Sequence, residues 1–164
     1  MKNVMPSLLF LLLLQLYILP ATAQKAGDNS RLIYSLFAVL NKHDSIVAGA
    51  FFADSVKLQS PNWEGIQTGR QAAITVYSRY FKGTPDIHFE ITNIIAAGTK
   101  VIVEYTFGGK FSNPEEGTPA YMRGKDYNLK GVTIYSIAGN KITSSVSYFD
   151  QVAFLRQVGF FDNH

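Results

Sequence analysis

The chain has 164 residues, with 15 Lys and Arg against 12 Asp and Glu, and no cysteine. So small a basic excess, scattered singly without a run or stripe, argues against nucleic acid as a partner, and the missing cysteines exclude disulfides and thiolate metal sites. Twelve Phe and nine Tyr supply apolar surface with polar tips, the kind of surface that fills cores and lines pockets.

The first residues have the three parts of a secretion signal: Lys2, the apolar run Leu8 to Leu14, and the small-residue site Ala21-Thr22-Ala23. Residues 1–23 are therefore expected to be a signal peptide, cleaved after Ala23, giving a secreted or periplasmic product. The run Leu8 to Leu19 contains Gln15 and falls short of the roughly 20 residues that span a bilayer, so no membrane association is expected after cleavage. About 140 residues remain, enough for one core and the usual size of one domain.

Gln24 to Asn29 reads as a short tether (24–29) ahead of a domain over 30–160. Leu32, Ile33, Leu36, Phe37 and Leu40 then recur at helical spacing, with Asn29 or Ser30 available as N-cap. Asp44 is placed to cap a second, short helix whose Ile46, Val47, Ala50 and Phe51 form an apolar stripe. Val56 to Gln59 reads as a strand, Ser60-Pro61-Asn62 as a turn, and Trp63 to Gly69 as a loop or irregular strand. A third helix carries Ala73, Ile74, Tyr77, Tyr80 and Phe81 on one face, stopped by Gly83 and Pro85.

From Asp86 the period changes to two. Ile87, Phe89 and Ile91 alternate, then Val101, Val103, Tyr105 and Phe107 after the turn Ala97-Gly98-Thr99, which makes a hairpin. Ser112 to Gly124 is the one long loop, a candidate pocket lip. Asp126 to Ile137 and Lys141 to Asp150 read as strands around Ala138-Gly139-Asn140, and Val152, Leu155 and Val158 mark a last helix. Helices followed by an antiparallel meander give an α+β class in which a curved sheet wraps a long helix as a hollow cone.

Several short motifs, in this order and spacing, resemble the nuclear-transport-factor-2-like superfamily and, within it, the SnoaL-like polyketide cyclases. They are Phe51-Phe52-Ala53-Asp54-Ser55-Val56, Gly69-Arg70-Gln71-Ala72-Ala73-Ile74, Pro85-Asp86, Val101 to Gly108, Gly139-Asn140-Lys141-Ile142, and Tyr148-Phe149-Asp150-Gln151 before Leu155-Arg156-Gln157-Val158-Gly159. The resemblance implies an α+β barrel whose mouth admits small apolar molecules, often a homodimer through the open sheet face, and no cofactor. It also implies an acidic general acid/base just before the last helix, the place of Asp150. The chain departs from the cyclase pattern at Gly108-Gly109-Lys110, where many of those enzymes carry a histidine.

Strand parity with Ile142, Val146 and Tyr148 puts Asp150 on the apolar side of the sheet, where burial would raise its pKa and make it a base. The same position suits an N-cap. Tyr135 is the expected hydrogen-bond donor, with Trp63, Tyr77, Tyr80, Tyr105, Tyr148 and Phe37 lining the pocket. Arg70, opening a helix, needs an anionic partner, and Asp54 is the candidate for a structural pair. His43, His88 and His164 form no ligand spacing, so no metal is expected. Two functions fit: an exported, cofactor-free isomerase, cyclase or dehydratase acting on a small apolar carbonyl compound, or a binding or interaction module for a small apolar or aromatic molecule.

Overall fold

The computed structural model describes the backbone of residues 20–62 and 65–162, with side chains from Gly27 onward within those ranges. Most of the expected leader, and Trp63, lie outside the described residues. The elements in chain order are α1 (Pro20–Leu40), α2 (Ser45–Gly49), β1 (Phe52–Gln59), β2 (Gln67–Thr68), α3 (Arg70–Gly83), β3 (His88–Ala97), β4 (Lys100–Lys110), β5 (Asp126–Ala138), β6 (Lys141–Phe149) and α4 (Gln151–Gln157). A single 3-10 turn, Ala120–Met122, sits in the long loop and buries Met122.

The strands form one sheet in the order β2-β1-β6-β5-β4-β3, antiparallel throughout except where β1 runs parallel to β6. With α1 packed on β3 and α3 on β1, the sheet curves around its helices as an α+β cone. The core is the expected one. Ile33, Leu36, Phe37 and Leu40 of α1 meet the inward rows Val101, Val103, Tyr105 and Phe107 of β4 and Tyr127, Leu129, Tyr135 and Ile137 of β5. The edge strand β3 is blocked at Phe89, where the Asn41 side chain bonds both backbone groups, at 2.8 Å each. The β5–β6 turn places Gly139 and Asn140 at φ 56° and 57°, the left-handed pair that a tight two-residue hairpin requires.

Three local expectations fail for identifiable reasons. The segment expected as a tether is helical, since α1 already runs from Pro20; Ala and Gln there propagate a helix readily. Asn29 accordingly is no cap but a buried side chain whose Nδ2 donates to the Gly98 carbonyl at 2.8 Å. In α2 the apolar stripe points outward: Ile46 and Val47 are exposed while Ala48 and Gly49 are buried. Asp44 does cap this helix, accepting from the Val47 amide at 2.9 Å. However, α2 lies so close to α3 that a Cβ on Gly49 would fall 2.4 Å from Ile74 Cγ1, so any side chain there would have to push the Ile74 side chain aside.

The third failure decides the site. Ile142 pairs with Ile137 but Ser144 pairs with Ser136, so Thr143 is an extra residue, a β-bulge that inverts the alternation of β6. Beyond it Ser145, Ser147 and Phe149 point inward. Tyr148, expected to line the pocket, is 55% exposed.

Candidate functional site

The hollow of the cone is an inner chamber of ≈ 50 Å³. Helix α1 contributes Phe37 and Leu40, α3 contributes Val76, Tyr77 and Tyr80, and β1 with the residue after it contributes Leu58, Gln59 and Ser60. The remaining wall comes from Phe89, Tyr105, Phe107, Thr133, Tyr135, Ser145, Ser147 and Phe149 on strands β3 to β6. Val76, Tyr80, Phe107 and Phe149 also border a wider outer chamber of ≈ 250 Å³ toward solvent, forming a collar in which the Phe107 and Phe149 rings meet edge-on at 5.5 Å.

The inner wall carries many hydroxyls. Tyr105 and Thr133 hydroxyls lie 3.1 Å apart, and Thr133 and Ser147 hydroxyls 2.9 Å apart, so the three form a chain across β4, β5 and β6. The Tyr77 and Tyr135 phenols interact with each other, and Tyr135 also with Thr133. Burial pushes the Tyr77 and Tyr135 phenols well up, Tyr80 up to about 12 and Tyr105 up, with neighbouring phenols adding to the effect at Tyr77, Tyr80 and Tyr135. These groups stay neutral at ordinary pH. Gly131 makes room for this arrangement: a Cβ there would sit 2.8 Å from Tyr105 Cζ.

The outer chamber is roofed by the long loop expected as a lip. Its Asn113 and Glu115 face Arg79 and Gly83 of α3, and Phe111 stacks edge-on against Phe154 of α4 at 5.5 Å. Arg79 grips Glu115 with Nε at 2.6 Å and its terminal nitrogen at 2.8 Å, and Asn113 is bonded to the Gly83 and Lys82 backbones. That contact holds the Glu115 carboxyl below its usual range. Because Arg79 and Glu115 neutralise each other, the mouth presents little net charge.

Phe37, Tyr77, Tyr80, Tyr105 and Tyr135 are thus all brought to the inner chamber, as expected. Asp150 is not. Its side chain accepts the Ala153 amide at 2.9 Å as N-cap of α4 and is exposed, on the far side of the sheet from the hollow. The inverted alternation beyond Thr143 is the cause, and it removes Asp150 as a base for anything bound inside. Asp54 and Arg70 do pair, at 2.8 Å, with Arg70 Nε also donating to the Phe52 carbonyl at 3.2 Å. Thr133 shares parity with Tyr135 and was readable on that ground; Ser145 and Ser147 were hidden by the bulge. No group of three His, Asp or Glu converges among the described residues.

Residues 31–158 match the family model of the SnoaL-like polyketide cyclases. The chain belongs to that family. No curated protein matches it by sequence. Among solved structures, a SnoaL-like protein from Jannaschia sp. CCS1 superposes with a TM-score of 0.73 at 18% identity, covering 82% of this chain and 93% of that one. A polyketide cyclase-like protein from Xanthomonas campestris pv. campestris gives 0.69 at 22% identity, covering 82% and 98%. A protein of ketosteroid isomerase-like fold from Catenulispora acidiphila DSM 44928, in complex with trimethylamine, gives 0.65 at 22%, covering 78% and 92%. These likenesses establish the cyclase/isomerase type of fold for this SnoaL-like chain, and fold alone does not fix an activity.

Proposed function

We propose that this SnoaL-like protein is an exported binder of a small, uncharged, largely apolar ring compound rather than an enzyme driven by an aspartate base. The observation that carries the reading is the composition of the inner wall: aromatic faces and neutral hydroxyls surround the hollow, while Asp150 caps α4 outside it. Apolar walls with a few placed polar groups are the usual make-up of a small-molecule pocket. Charge is excluded by the same wall, because an ion would lose hydration against phenyl rings and gain only neutral hydroxyls.

The rival reading, proton transfer on a carbonyl compound, needs a group that accepts a proton near neutral pH. Phenols displaced upward by burial do not, although they serve well as donors. Export is supported by the leader pattern of residues 1–23.

Native mass spectrometry of the exported protein, followed by titration with neutral bicyclic compounds, tests the reading. A co-purified small molecule, or saturable binding that leaves the compound chemically unchanged, is expected. Turnover of a bound ketone, seen as solvent deuterium entering its α-carbon, would overturn it.

A further inference from the structure

We propose that Ser60 and Tyr80 form the anchor of the inner chamber, a pair of hydroxyls that holds the carbonyl oxygen of a neutral ligand whose ring body extends past the Val76, Tyr80, Phe107 and Phe149 collar into the outer chamber. The inference rests on the reading of the hollow as a small-molecule site and names the contact that selects the ligand there.

Most hydroxyls of the chamber are already spent on one another. Tyr105, Thr133 and Ser147 form a chain of hydrogen bonds, and the Tyr77 and Tyr135 phenols face each other. Ser60 differs. It follows β1, is only 5% exposed and lines the chamber, yet its Oγ has no hydrogen-bond partner, alone among the buried side-chain polar atoms of the described residues. An unpaired buried hydroxyl is destabilising, so a group that retains one beside a cavity is poised for a partner arriving from outside.

Tyr80 completes the pair. The Ser60 hydroxyl is directed at the Tyr80 oxygen closely enough to favour its phenolate, while its Oγ stays outside the geometry of a formed hydrogen bond. The Asn62 side-chain amide donates to the Tyr80 oxygen at 3.0 Å, at the entrance to the hollow. A phenol has one proton. With its oxygen accepting from Asn62, that proton remains for an acceptor in the chamber, and burial keeps it on the phenolic oxygen. Two donors meeting at one place suit an oxygen with two lone pairs and no proton of its own, which is a carbonyl.

The test compares indanone with indane, the same bicycle with and without the oxygen, by calorimetric titration of the protein and infrared difference spectra of the bound ketone. Expected is a preference for the ketone of about 5-fold or more, the worth of one or two neutral hydrogen bonds, together with a carbonyl band moved to lower frequency. Ser60→Ala and Tyr80→Phe should each reduce the preference and move the band back, with indane affinity retained as evidence of an intact pocket. Should Ser60→Ala fail to fold, Tyr80→Phe decides alone, since it removes an oxygen and hardly any packing volume. Equal binding of ketone and hydrocarbon, or a preference that survives both variants, overturns the anchor and leaves the chamber a binding site. Failure of both compounds to bind overturns the small-molecule reading and the anchor with it.

Discussion

Arg79 holds Glu115 with two parallel hydrogen bonds, at 2.6 and 2.8 Å, and so fastens the long loop to α3 across the mouth of the outer chamber. Both side chains are more than half exposed, which limits their worth to stability to less than about 1 kcal/mol. Their effect should be on the loop. Glu115→Gln is expected to leave the melting temperature nearly unchanged while hydrogen exchange at Asn113 and Thr118 accelerates several-fold. Acid should act likewise: the carboxyl is depressed in the fold, so the latch is complete above its usual pKa and is lost as pH falls through the lower folded value. Unaltered exchange in the variant would show that the Asn113 backbone bonds hold the loop without the ion pair.

Gly131 lies opposite Tyr105 on the neighbouring strand, and a Cβ there would approach the Tyr105 hydroxyl oxygen to 3.0 Å and its Cζ to 2.8 Å. Gly131→Ala must therefore displace the ring toward the hollow and pull its hydroxyl from Thr133. The expected cost is about 1–3 kcal/mol of overpacking, read by urea unfolding, with weaker binding of any bicyclic probe. An alanine variant of wild-type stability would mean that the ring has somewhere else to go.

What the sequence conveyed about the fold came from periodicity, and periodicity failed where a single residue broke it. The rows of β4 and β5 were readable because eleven consecutive pairs hold one register, Lys100↔Ser136 through Lys110↔Asp126. One inserted residue, Thr143, inverted β6 and with it the predicted places of Tyr148 and Asp150. Nothing in the local sequence marks a bulge at Thr143, because Ile142, Ser144 and Val146 fit an unbroken alternation equally well. The aromatic half of the chamber was therefore legible, while its serines were not. Arg79 with Glu115 lay beyond reach for another reason: their contact joins residues 36 apart through a loop whose path no pattern encodes.

Asp150 should behave as a cap and as nothing more. Its carboxylate accepts the Ala153 amide at 2.9 Å, a role asparagine fills about as well and alanine does not. Asp150→Ala is expected to cost about 1 kcal/mol in chemical denaturation, and Asp150→Asn a few tenths at most. Neither should change the affinity for indanone. A loss of binding or of any catalytic rate in the asparagine variant, with stability retained, would return the carboxylate to the chemistry.

The buried phenols give the fold an alkaline limit. Tyr77, Tyr80, Tyr105 and Tyr135 all have folded values above the ordinary 10.0, chiefly because a phenolate among Phe37, Phe89 and Phe107 would lose its hydration. Each is an acid whose folded pKa exceeds its unfolded one. The stability it lends is whole below pH 10 and falls as pH rises from there toward the folded values, because only the unfolded chain releases the proton. Phenolate absorbance should accordingly show a class of tyrosines that remains neutral beyond pH 10 and ionises together with the loss of near-ultraviolet circular dichroism. Tyr80→Phe should lessen the steepness of that alkaline transition by removing one coupled proton. If every tyrosine of the folded domain ionised near pH 10 with the fold intact, the chamber would be open to water, and the exclusion of charged ligands would lose its physical basis.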